Sequence, residues 1–155
     1  MAKILLVEDD NLAEQGDHRV LLEKLKKQTE DVAAIIIEIV QGEGGFFVAP
    51  NSYIQQLRRL CDETGIMLIF DEVQSGFGRT GKWAAYEHYD VIPDISTWAK
   101  SMGSGVPIAA VMGKAHIMDA AAPSTIGGTY AGNPMGFVLS ANGKNYYYSG
   151  DTALH

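Results

Sequence analysis

Short apolar runs alternate along this chain with stretches in which apolar residues recur every three or four positions. Lys3 to Glu8 is β-branched and leucine-rich with an acidic end, and Asp9, Asp10 and Asn11 bound it, which predicts a buried strand. Beyond it Val20, Leu21, Leu22 and Leu25 interleave with Glu23, Lys24, Lys26 and Lys27, the pattern of a helix over 18–29. Val32 to Val40 is apolar and β-branched except for Glu38, as expected of a central parallel strand with a carboxylate near its C-terminal end. The glycine-rich stretch 41–45 predicts a loop. Ile54, Leu57, Leu60 and Cys61 mark a helix through Glu63, with Asn51 or Ser52 as its cap and Gly65 as its stop. Ile66 to Phe70 is the next buried strand, with Asp71 at its tip. Gly76, Gly78 and Gly81 punctuate a loop, 83–89 has the pattern of a short helix, and Pro93-Asp94 leads into a strand over 95–99 followed directly by Lys100. A strand over 107–112 and a helix over 115–121 come next. Asn142-Gly143 then sits between 137–141 and 144–149, the strongest short signal for a hairpin turn, because both central positions need positive φ.

Strand and helix alternation of this kind predicts an α/β fold, a three-layer α/β/α domain with a mostly parallel central sheet, since right-handed crossovers place helices on the faces. Its strands are 3–8, 33–38, 66–71 and 95–99, with 107–112 at an edge and the 137–149 hairpin extending or flanking the sheet. With 155 residues the chain suits a single α/β domain over 1–155. Apolar residues at 46% and charged residues at 20% are ordinary globular usage, which argues against disorder. The apolar runs are too short to span a membrane, and Ile4 to Val7 is too short for a signal peptide, so a cytoplasmic setting is expected. Cys61, the only cysteine, has no partner for a disulfide and is expected as a small buried apolar side chain on its helix. A net charge of −7 argues against a nucleic-acid partner.

Three polar side chains end three predicted parallel strands: Glu38, Asp71 and Lys100. Glu8, Asp9 and Asp10 end a fourth. Ligand crevices of open α/β sheets lie beyond the carboxyl ends of the strands, which makes these groups candidates for a site. The alternative is a set of solvated ion pairs.

Longer text separates the two. Ala33-Ala34-Ile35-Ile36-Ile37-Glu38, Val40-Gln41-Gly42-Glu43-Gly44-Gly45, the run from Asp71-Glu72-Val73-Gln74 through Ser75-Gly76-Phe77-Gly78-Arg79-Thr80-Gly81, Ala99-Lys100-Ser101 and Gly127-Gly128-Thr129-Tyr130 resemble class III aminotransferases dependent on pyridoxal 5′-phosphate. The resemblance runs from about residue 30 to 134. It implies that Lys100 holds the cofactor as a Schiff base and shuttles a proton, as an amine of lowered pKa can. It implies that Asp71 pairs with the protonated pyridine nitrogen and keeps the ring an electron sink. Val73 would pack on one ring face, Gln74 would lie near the ring hydroxyl, Glu38 would face the substrate, and Thr129 would bind phosphate across a dimer interface. Further implications are an amino-acid or amine substrate, self-association through 76–81 and 127–132 with Phe77 and Trp83 at that surface, and an antiparallel edge strand at 107–112. Ile39 stands where the family usually has proline, and Ser104 interrupts its usual glycine run. The family's phosphate-cradling strand–turn–helix, the aromatic residue on the other ring face and the small domain with a carboxylate-binding arginine have no counterpart here.

The two ends resemble other families. Residues 3–10 are similar to the first strand of a response-regulator receiver domain, which binds magnesium through its acidic pair. The stretch 135–155, with Gly150-Asp151-Thr152, is similar to a hairpin of metallo-β-lactamase-fold hydrolases. Their histidine cluster is missing, and His18, His88, His116 and His155 are scattered, so no metal centre is expected. Three resemblances together imply a chimeric, engineered or generated chain: 1–29 receiver-like, 30–134 aminotransferase-like, 135–155 a hairpin. Three functions follow as expectations: a truncated pyridoxal-phosphate-binding module with little or no turnover, a chimeric scaffold with no ligand or activity, and a receiver-like phosphoacceptor using Asp9, Asp10, Asp71 and Lys100.

Overall fold

The computed structural model describes residues 3–7, 23, 27, 32–43, 45–120, 137–141 and 144–148. The chain divides into two compact units, 1–114 and 115–155.

The first unit is built on a five-stranded sheet: β1 (Lys3–Val7), β2 (Val32–Glu38), β3 (Met67–Asp71), β4 (Ile95–Trp98) and β5 (Ala110–Gly113), in that spatial order. Strands β1 to β4 are mutually parallel, and β5 closes the row antiparallel to β4. The expected adjacency of 33–38 and 66–71 as parallel strands is therefore present. The last strand begins later than the sequence suggests, at Ala110, and its register starts with Trp98 opposite Ala110. Pro107 has no amide hydrogen to give to a ladder.

Parallel strands laid down in sequential order send right-handed crossovers to one face of the sheet. The helix α1 (Asn51–Thr64), which joins β2 to β3, lies on that face: Ile54, Leu57, Leu60 and Cys61 pack with Ile35, Ile37, Leu68 and Phe70 in one buried cluster. The side chains of Ile35, Ile37 and Phe70 alternate with Ile36, Glu38, Ile69 and Asp71, which face the other way and are only half-buried. Among the described residues, helical cover belongs to the α1 face. Glu23 and Lys27, four apart and exposed, are helical, and the rest of the expected 18–29 helix lies outside the described residues.

Helix α1 corrects one expectation. Neither Asn51 nor Ser52 caps it; Pro50 is the N-cap, with extended φ −63° and ψ 141° and no side-chain cap bond. The Pro50 carbonyl accepts from the Tyr53 and Ile54 amides at 3.0 and 3.2 Å, and Pro50 is pre-set in the geometry a cap requires. Gly65 ends the helix at φ 73°, as its sequence predicts. Cys61 is buried on α1, and burial pushes its thiol up to about 11. The 83–89 helix is shorter than expected, a single 3₁₀ turn over Ala85–His88.

At the end of the sheet opposite the strand tips, Asp94 joins four elements. Its carboxylate accepts from the Leu68 amide at 2.8 Å, from Arg58 at 2.8 Å and from Lys114 at 2.6 Å. Arg58 also pairs with Asp62 at 2.8 Å. Burial pushes the Asp94 carboxyl up, but the Leu68 amide, Lys114 and Arg58 outweigh it and hold it below the usual carboxylate range. Burial likewise opposes the charge on Arg58, and the facing carboxylates of Asp94 and Asp62 overcome it.

In the second unit, Ala115–Met118 forms one helical turn, shorter than the expected 115–121. Strands Phe137–Ala141 and Lys144–Tyr148 pair antiparallel as a two-stranded sheet, with Ala141 opposite Lys144. The intervening Asn142-Gly143 lies outside the described residues.

Candidate active site

The parallel register places Glu38 beside Asp71 and Asp71 beside Thr97, so three polar groups line up on the half-buried face at the C-terminal ends of β2, β3 and β4. Each strand then leads into a loop that carries more of the site.

After β2 the chain makes a narrow excursion. The Ala49 amide bonds back to the Ile39 carbonyl at 2.9 Å, and the Gln41 amide to the Phe47 carbonyl at 3.0 Å. The Glu38 carboxylate accepts from the Gly42 amide at 2.8 Å, which holds the start of this loop against the strand tip. Gly42 in turn lies against Gln74: a Cβ at position 42 would stand 2.8 Å from Gln74 Cγ. The loop backbone and the Gln74 side chain share that space, so a side chain at position 42 would displace Gln74.

After β3 the Asp71 carboxylate accepts through Oδ1 from the Val73 amide at 2.9 Å and from the Thr97 hydroxyl at 3.0 Å. Glu72 is buried at 1% exposure and folds the next turn: its carboxylate accepts from the Ser75 hydroxyl and from the Tyr86 amide at 3.0 Å. Its own amide bonds the Thr97 carbonyl at 2.9 Å. Phe77 takes φ 57° and packs between Trp83 and Trp98, with ring centroids 4.8 and 5.3 Å away. Phe77 is half-buried in this aromatic stack and touches Trp83, which is exposed.

After β4, Lys100 opens a 3₁₀ turn over Lys100–Gly103, with φ 48° at Lys100 itself. A non-glycine residue in the left-handed region is strained and is held there by its surroundings. Here the Ser101 hydroxyl donates to the Gly76 carbonyl at 3.1 Å, and Lys100 Nζ donates to Gln74 Oε1. The lysine is exposed.

The structure therefore brings together Glu38, Asp71, Val73, Gln74 and Lys100 through two strand registers and two loop contacts. Thr129 lies outside the described residues, as do Glu8, Asp9 and Asp10. Thr97, Gly42 and Ser101 belong to the same arrangement and were not singled out by sequence. For two of them the partner is distant in sequence, since Ser101 reaches Gly76 over 25 residues and Thr97 reaches Asp71 over 26, while Gly42 bonds Glu38 four residues back and lies against the distant Gln74. Among the described residues no group of His, Cys, Asp and Glu side chains could hold a metal ion, and no helix is long and apolar enough to cross a membrane.

The donor set suits pyridoxal 5′-phosphate: an exposed amine for its aldehyde, a fixed carboxylate for its ring nitrogen, and an amide beside that amine for its ring oxygen. Among the described residues both donors to Asp71 fall on one oxygen, which leaves the other for a cation.

Comparison with known proteins agrees. The family model for aminotransferase class III matches residues 3–143, a span that takes in the receiver-like segment and the first strand of the C-terminal pair. The chain is 56% identical over 128 residues to a 5-aminovalerate aminotransferase of Pseudomonas aeruginosa, covering 83% of this chain and 29% of that protein. It is 55% identical over 133 residues to a 4-aminobutyrate aminotransferase of Escherichia coli, covering 86% of this chain and 30% of that protein. The chain thus spans under a third of the length of these curated relatives. Among solved structures, an ornithine aminotransferase from Plasmodium yoelii superposes with a TM-score of 0.72 at 36% identity, covering 84% of this chain and 35% of that one. The ornithine aminotransferase of Toxoplasma gondii, at 35% identity and a TM-score of 0.71, has been described with partial occupancy of pyridoxal phosphate at its active site. Sequence, sheet topology and the donor set at the strand tips converge, and the chain belongs to the class III family of pyridoxal-phosphate-dependent aminotransferases.

Proposed function

We propose that this chain carries one wall of a transaminase site, binding pyridoxal 5′-phosphate through Lys100 and Asp71 with Val73 and Gln74 against the ring. When bound, the cofactor supplies an electron sink for bond cleavage at the amine-bearing carbon of a substrate. Lys100 Nζ is the covalent anchor and then the group that moves a proton, while Asp71 holds positive charge on the ring nitrogen. Glu38, fixed by the Gly42 amide at 2.8 Å, faces the substrate side. Thr129 is proposed as a phosphate ligand donated to a second copy. The names of the relatives, 4-aminobutyrate and 5-aminovalerate aminotransferases, favour an amino acid with a terminal amine as substrate.

The observation that carries this reading is the contact of Lys100 Nζ with Gln74 Oε1 across 26 residues, three positions beyond a carboxylate already fixed by two donors. The family match from residue 3 favours a continuous aminotransferase origin for the N-terminal segment over a receiver graft, and with it the phosphoacceptor reading loses its support. For the 155 residues alone, turnover is expected to be absent or very slow, since one wall of a pocket does not hold a substrate in near-attack geometry.

An inert scaffold is the competing reading, favoured by the exposure of Lys100. One experiment separates them. The chain is incubated with pyridoxal 5′-phosphate, reduced with borohydride and mapped by peptide mass. A label concentrated on Lys100, lost in Lys100→Ala and weakened in Asp71→Ala, is the expected result. Even labelling of Lys100, Lys26, Lys27 and Lys144 would leave the scaffold as the better account.

A further inference from the structure

The Asp71 carboxylate is served unequally. The Val73 amide at 2.9 Å and the Thr97 hydroxyl at 3.0 Å both donate to Oδ1, and among the described residues no donor falls on Oδ2. One donor is an amide two residues along the chain; the other is a hydroxyl on the neighbouring strand. Two donors from different elements on one oxygen stop the group from rotating about its terminal bond, which is otherwise a broad, two-fold torsion. Thr97 has this position because the parallel register sets it directly beside Asp71.

We infer that Thr97 is a positioning residue: by holding Oδ1 it turns Oδ2 toward the ligand, and so presents a carboxylate oxygen to a protonated ring nitrogen. The inference rests on the cofactor reading above and deepens it. Thr97 acts through Asp71, to which its hydroxyl donates. Its backbone carbonyl accepts the Glu72 amide at 2.9 Å and its main chain pairs with Asp71 and Val111, none of which depends on the hydroxyl.

Thr97→Val removes the hydroxyl and keeps the shape, and Thr97→Ser restores it. In the chain without cofactor, crystal structures of the parent and of Thr97→Ser are expected to show one rotamer of the Asp71 carboxylate about its terminal bond, with Oδ1 on the Val73 amide. In Thr97→Val the carboxylate plane is expected to turn or to split between two orientations. An unchanged, single orientation in Thr97→Val would overturn the inference, whether or not the cofactor binds. A second measurement addresses the ligand. Affinity for pyridoxal 5′-phosphate should fall about tenfold in Thr97→Val, the loss typical of one hydrogen bond to a charged group, and return in Thr97→Ser. An analogue with carbon in place of the ring nitrogen should bind Thr97→Val and the parent equally. Equal losses for both compounds would show a merely structural role and overturn the inference. Failure of the parent chain to take up pyridoxal 5′-phosphate would instead sink the proposed function, and the rotamer measurement would still decide the part played by Thr97.

Discussion

Removing the Asp94 carboxylate should cost the fold more than any change at the strand tips. Its side chain is 10% exposed and accepts three donors, among them the backbone amide of Leu68, a fully buried residue. In Asp94→Asn one oxygen survives, and the least costly arrangement turns it toward Leu68 and Arg58. The new amide then faces Lys114, whose side chain is 43% exposed and can turn to water. Arg58, at 14% exposed, loses a full charge but keeps Asp62 at 2.8 Å. The expected loss is about 2 kcal/mol, the scale of one hydrogen bond to a charged group. Asp94→Ala strands both the Leu68 amide and the half of Arg58 that faced it, as in any broken buried pair, and should cost about 4 kcal/mol. For a chain of this size that corresponds to a fall in melting temperature of roughly 8–16 °C. Urea unfolding followed by far-ultraviolet circular dichroism and by tryptophan emission measures both variants, with an unchanged slope expected. The sign of the pH dependence follows from the depressed folded-state value of Asp94. Its contribution is complete above the unfolded-state value of about 4 and is lost as pH falls through the lower folded value, so the variants should differ least from the parent in strong acid. A loss under about 1 kcal/mol in Asp94→Ala at neutral pH, well below the range for a broken buried pair, would refute this account of the cluster.

Gly42→Ala places a Cβ 2.8 Å from Gln74 Cγ, where carbon atoms settle at about 3.5–4.0 Å, so Gln74 must retreat and loosen its hold on Lys100. Selective labelling of Lys100 by pyridoxal 5′-phosphate should fall several-fold while the melting temperature changes little; unchanged labelling would show that Gln74 does not guide the lysine. Self-association is expected of a chain that exposes Trp83 at 64% and Phe46 at 68%, and multi-angle light scattering showing a strict monomer at high concentration would exclude it. Cys61, buried with its thiol raised to about 11, should resist a disulfide reagent in the native chain and react at once in denaturant.

Local rules make much of this protein legible from its residues in order. Period-two and period-3.6 patterns locate β2, α1, β3 and β4 to within a residue or two, and Gly65 announces the end of α1 because only a residue free to take positive φ ends a helix that way. Strand-end logic alone groups Glu38 with Asp71, since side chains at the carboxyl ends of adjacent parallel strands share a crevice. What local rules miss is whatever depends on a distant partner. The place of Phe77 between two tryptophans and the late start of β5 are set by packing and register. The same holds for the unequal donors on Asp71 and for Asp94, whose bond to Arg58 spans 36 residues. Such pairs leave no period in the sequence. They exist only once parallel strands are laid side by side and α1 is folded onto one face, so tertiary structure alone decided which oxygen of Asp71 is left open and which carboxylate ties the far end of the sheet.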